Sequence, residues 1–274
     1  MTARELSVPP GTLVGLRAIG ARTALLVRRN SVMLVLAFWW MATGVLYALQ
    51  RSAWTRGLAL AGALACLGAG ARLTWVTRAD RSAAGVQRAF FGGALAWTAV
   101  ITLFFEGWLV GPPPGALGPA TRGWAGALEA VRATWHWEAL ALLGLVLLAV
   151  ALRGATQRVA LATYALFWAA HQSAKLNLFV GVVNPGTEIF PPYLAHLPRY
   201  FGPARNAPLL WVTIAAYTAL AGWWLSGAWR GSGEARVRRL VLGALAGLVA
   251  LEHGFLATRL PIQLWELFLR VGRG

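Results

Sequence analysis

An all-α, polytopic helical bundle of the membrane is the fold class this sequence predicts, and three observations predict it. Apolar residues fill 58% of 274 positions and charged residues only 12%, a balance that a soluble core does not carry. Apolar stretches recur at roughly the 20-residue length that crosses a hydrocarbon core. No alternating ten-residue strand pattern appears. Backbone groups in lipid must be bonded internally, so the spans are expected as helices rather than barrel strands.

The expected division is a basic head at 1–30, a transmembrane domain of about seven helices at 31–258 and an interfacial helix at 259–274. Pro9-Pro10 stop any early helix, and residues 11–29 space Leu and Val among Arg17, Arg22, Arg28 and Arg29. That pattern suits an amphipathic segment lying on the membrane face. No small-residue cleavage site follows the first apolar run, so that run is expected as a retained span although Arg28-Arg29 precede it. The spans are placed at 31–50, 56–77, 88–110, 136–153, 157–180, 207–229 and 238–258. Arg, Pro or Gly mark the breaks. Between the third and fourth spans, WAGALEAVRATW is read as a short surface helix. The terminal stretch PIQLWELFLRVGRG places Trp265 and Phe268 toward lipid and Glu266 and Arg270 toward water.

Small residues recur four apart: Ala61, Ala65 and Ala69; Gly62, Cys66 and Gly70; Ala165, Ala169 and Ser173; Gly243 and Gly247. In membranes such stripes let helices approach closely. The net charge of +16 is almost wholly arginine in the breaks, which fits anionic headgroups and topology signals better than nucleic acid. More of those arginines fall on the side of the N-terminus, which argues for a cytoplasmic N-terminus, but five of them lie in the basic head and the orientation stays open. Cys66 is alone, so no intramolecular disulfide forms.

Lys175 is the only lysine among 25 basic residues, and it lies inside an apolar segment. An ammonium there is costly unless it finds a partner or reaches water. With seven spans, Glu106, His136, Glu138, His171, Lys175, Glu252 and His253 all fall in the half of the membrane away from the N-terminus. Lys175 is therefore expected to pair with Glu106, Glu138 or Glu252, with His171 one turn away on the same face and Asn177 close by. The alternative is that these groups snorkel to water independently. No Glu-x-x-His or His-x-x-x-His spacing appears, so no metal site is expected. A Schiff-base lysine is disfavoured by its place on the fifth span. His136, His171, His196 and His253 are candidate pigment ligands, each weighed against an ordinary hydrogen-bonded histidine. The 15 Trp suit either pigment contact or interfacial belts.

The box Ser173-Ala174-Lys175-Leu176-Asn177, followed by FVGVVNPGTEIFPPYLAHLPRYF, resembles the PuhE-type photosynthetic complex assembly proteins of bacteriochlorophyll-containing bacteria. Leu251-Glu252-His253 with Phe255-Leu256, Leu260-Pro261 and Gly107-x-x-x-Gly111-Pro112 add to the likeness, which covers about 32–272. It departs from the family at Val100-Ile101, where the family carries a His-Glu pair, and at His136-Trp137-Glu138, where a residue stands between the pair. The resemblance implies a non-enzymatic role in building a reaction centre–light-harvesting complex. Its partners would be reaction-centre or antenna subunits and membrane lipids, with bacteriochlorophyll or carotenoid at the contact. The Pro- and aromatic-rich loop at 184–206 suits a docking surface, with plain loop connectivity as the alternative. The alternative function is a membrane enzyme or pigment-binding protein acting on bacteriochlorophyll, carotenoid or lipid.

Overall fold

The computed structural model describes residues 30–110 and 123–258 together with 266, 268 and 270; the expected basic head and most of the terminal helix lie outside them. Seven long helices follow one another: α1 Ser31–Ala48, α2 Ala53–Thr77, α3 Ala83–Phe105, α4 Gly123–Ala151, α5 Val159–Val180, α6 Pro208–Trp229 and α7 Gly233–Ala257. Short 3-10 turns complete the described elements, which include no strand. Six of the seven are long and apolar enough to cross a membrane. The exception is α5, which has the length but carries His171, Gln172, Lys175 and Asn177 in its second half.

Local chemistry fixes the starts. The Asn30 side chain accepts from the Met33 N–H, and Ser82 accepts from Gly85. Ser52 and Thr55 satisfy each other's backbone donors in a capping box at the head of α2. Pro208 opens α6, where its missing N–H costs nothing.

Two antiparallel pairs, α2 with α3 and α6 with α7, pack most extensively, and α3 also meets α4, α5 and α7. It is the hub: 61% of its span is buried, against 17% for both α4 and α6. Between helices in lipid there is no water to expel, so close packing and polar bonds hold the bundle. The small residues supply the packing. A Cβ on Gly70 would come within 2.8 Å of the Ala96 nitrogen, and one on Gly93 would fall inside the Ala160 carbonyl. Gly243 is similarly tight against Leu225, whereas Gly62 has open space before it.

Polar staples close both ends. On the N-terminal side, the Gln157 N–H donates to the Arg78 carbonyl at 3.0 Å and the Gln157 amide to the Asp80 carbonyl at 3.3 Å, joining two loops. On the other side, the 181–207 loop caps α7. The Asn184 amide donates to the Phe255 carbonyl at 3.0 Å, its backbone N–H to Leu256 and the Asn206 amide to Ala257 at 2.9 Å. Those carbonyls have no partner within their own helix. Exposed Trp54, Trp75, Trp108, Trp211 and Trp229 sit at or near helix ends, the level at which indole rings meet headgroups.

Two boundaries correct the sequence reading. The stretch read as a surface helix at 124–135 is instead continuous with α4, whose 29 residues run about 44 Å at 1.5 Å each. His136 and Glu138 therefore lie near the middle of a helix and do not open it. The third span ends at Phe105, and Glu106 and Gly107 turn the chain away, Gly107 with φ of 68°.

Gly93→Ala is expected to force α3 from α5 and lower stability by about 1–3 kcal/mol, as overpacking does. Gly62→Ala, facing open space, should leave it unchanged. Thermal unfolding of both variants in detergent checks the contrast.

Candidate functional site

The face of α5 that carries Lys175 also carries Gln172 and His171, three and four residues earlier. The Lys175 ammonium forms an ion pair with Glu138 of α4, and the Gln172 amide donates to the other Glu138 oxygen at 2.7 Å. The indole of Trp137 lies 5.6 Å beneath the ammonium, within cation–π reach. Both charged side chains keep about a quarter to a third of their surface open, and both line a large chamber.

That chamber has a volume of about 1240 Å³ and is bounded by α1, α3, α4, α5, the end of α7 and the 184–201 loop. Its walls are mainly aromatic and aliphatic, including Trp39, Trp97, Phe104, Phe167 and Phe190. Three ties hold α4 beside it. Besides the Glu138 bonds, the Trp137 indole donates to the Val100 carbonyl at 2.8 Å and the Tyr164 hydroxyl to Ala141 at 2.9 Å. Trp137 and Ala141 are fully buried although most of α4 is exposed.

The single polar cluster expected from sequence is divided. Glu106 is fully buried, 3.7 Å from the Arg56 guanidinium, and accepts from the Tyr193 hydroxyl at 3.2 Å. Arg56 also donates to the Glu106 carbonyl at 2.5 Å and lies 4.2 Å over the Tyr193 ring. Glu252 accepts from the Trp39 indole at 2.6 Å. The Val249 carbonyl can only accept, so His253 donates from Nδ1 at 2.8 Å, leaving Nε2 to meet the Ser173 hydroxyl at 2.9 Å. Tyr217 joins the same hydroxyl at 3.3 Å. The Asn177 amide donates to the Ser173 carbonyl and to Thr213, tying α5 to α6.

The four candidate pigment histidines have different settings. His136 is exposed on α4 beside Trp135, and His253 is buried with both nitrogens engaged. His196 precedes a 3-10 turn of the loop. His171 lines the chamber, its ring 4.5 Å from Trp137 and 5.5 Å from Phe104, with Nε2 shut in and without a hydrogen bond. Among the described residues no three His, Cys, Asp or Glu side chains gather as a metal site requires. Gln172, Arg56, Tyr193 and Trp39 went unread in the sequence. Only Gln172 left a signal there, its three-residue spacing from Lys175.

These features define a helical membrane protein with polar bonds at depth and a large apolar chamber. The chain belongs to the DUF3623 family, described as a protein of unknown function, which matches residues 27–273. It is 31% identical over 243 residues to an "uncharacterized 30.4 kDa protein in puhA 5′region" of Rhodobacter capsulatus, covering 84% of this chain and 87% of that one. No solved structure matches.

Lys175→Met alone leaves the Glu138 carboxylate without its cation. Because both groups are partly open to the chamber, the expected loss is about 1–2 kcal/mol, below the cost for a fully buried pair. Lys175→Met with Glu138→Leu should recover most of it, measured as a double-mutant cycle in thermal unfolding.

Glu106 lies one residue beyond α3. Burial pushes its carboxyl up to about 7, against the lowering pull of Tyr193 and Arg56. A raised acid is held protonated by folding, so its stabilising contribution is complete below the ordinary value of 4.5 and is lost as pH rises through about 7. Stability measured from pH 5 to 7.5 should therefore fall more steeply in the natural protein than in Glu106→Gln.

Proposed function

We propose that this protein is a seven-span scaffold of the bacterial photosynthetic inner membrane that docks reaction-centre or antenna subunits while their complex is assembled. One observation carries the reading: the relative named for the puhA 5′ region of Rhodobacter capsulatus aligns along most of both chains, which is consistent with the photosynthetic assembly role that the sequence resemblance implies. In this reading α5 crosses with the other six helices, its polar side chains facing protein.

The physical support is a rigid bundle with unfilled outer faces. The second span presents Gly57, Ala61, Gly62, Ala65, Gly68 and Ala69 outward, where small residues admit close approach by another helix. The 181–207 loop, fixed to the end of α7 by Asn184 and Asn206, offers a preformed surface at the membrane edge. The role assigned is docking without catalysis, with membrane lipid around the bundle.

A second reading, binding of bacteriochlorophyll or carotenoid, draws on the apolar chamber and on His171 at its wall.

Tagged protein purified in mild detergent from photosynthetically grown cells should bring down reaction-centre or antenna subunits well above an untagged control. Recovery of neither class of subunit would refute the docking role.

A further inference from the structure

We infer that the chamber between α1, α4 and α5 is a binding site for one large, neutral, mainly apolar molecule bearing ketone or ester oxygens. Its volume of about 1240 Å³ exceeds the roughly 300–1,000 Å³ of ordinary small-molecule sites. The space is partly open at the side of the bundle, and its mainly apolar walls offer little to water, which needs polar partners on several sides. The walls are aromatic, which suits rings or a conjugated chain packed face or edge on.

The polar groups at the wall set the chemistry of the occupant. Lys175 spends one N–H bond on Glu138, and no other described group accepts from its ammonium. The remaining N–H bonds are donors beside the chamber, matched to carbonyl or ester oxygens. An anionic headgroup fits badly, since the one ammonium is already paired and Glu138 and Glu252 both line the same space. A cationic head would find Glu138 taken by Lys175 and Gln172, and Glu252 partly engaged by Trp39. A neutral body with oxygen acceptors uses the open donors and meets no like charge. Ala42 of α1 lies on the wall as well, giving a position where added volume fills the space without touching the ion pair.

This inference deepens the second reading, binding of a ligand in the chamber, and stands apart from the docking role, because it concerns what the isolated protein retains. Full-length protein is purified from its photosynthetic host in mild detergent, extracted with organic solvent and read by mass spectrometry and absorbance. Near-stoichiometric recovery of a neutral ketone- or ester-bearing molecule is expected, and the spectrum tells a conjugated macrocyclic ester from a quinone. The content should fall about tenfold in Lys175→Met/Glu138→Leu, the effect of losing roughly one hydrogen bond to a charged donor. It should fall at least as far in Ala42→Trp. Thermal unfolding of each variant establishes that it is folded. Phospholipid alone, no ligand above a detergent control, or equal content in both folded variants and the natural protein would overturn the assignment.

Discussion

Polar groups placed at membrane depth must be satisfied by the protein itself, and here that constraint falls on the fourth helix. Its span is mostly exposed, so little packing holds it to the bundle. What holds it is a short series of directed bonds: Trp137 to the Val100 carbonyl, Tyr164 to the Ala141 carbonyl, and Lys175 with Gln172 to Glu138. Interhelical hydrogen bonds in membranes average about 0.6 kcal/mol each, so together they are worth a few kcal/mol. That suffices to fix a helix whose alternative is to lie among lipid tails of equal apolarity.

The chamber follows from the same arrangement. The first helix packs mainly on the seventh, and the fourth mainly on the third and fifth. Neither fills the space they both line. The fifth helix stands behind it and carries polar side chains that would be costly on an outer face. Its less apolar sequence and its inward setting are thus one fact: Tyr164, Thr163 and Asn177 are buried in protein, and Lys175 faces a carboxylate.

Most of the helical architecture was legible in the sequence because apolar runs between arginine-bearing breaks have few other readings. The start of the fourth helix was misplaced because Glu129 and Arg132 interrupt its hydropathy; a helix about 44 Å long exceeds the roughly 30 Å hydrocarbon core and leaves room for such residues outside it. The Lys175–Glu138 contact was within reach because one lysine had three candidate carboxylates. The partners of the other two were not. Glu252 is bonded by the indole N–H of Trp39, which no count of charges reveals. Glu106 is met by Arg56 and Tyr193. Arg56 is one of many arginines at span borders, and Tyr193 comes from a distant loop.

The central claim is that directed bonds near the middle of the fourth helix hold it in one position. Spin labels at exposed Leu142 of the fourth helix and Val212 of the sixth, on a background with Cys66→Ala, measure it by pulsed electron resonance in lipid. The account predicts one narrow distance distribution, which broadens when Trp137→Phe, Tyr164→Phe and Glu138→Leu remove the bonds together. A distribution equally narrow in that triple variant, or already broad in the natural protein, would contradict it.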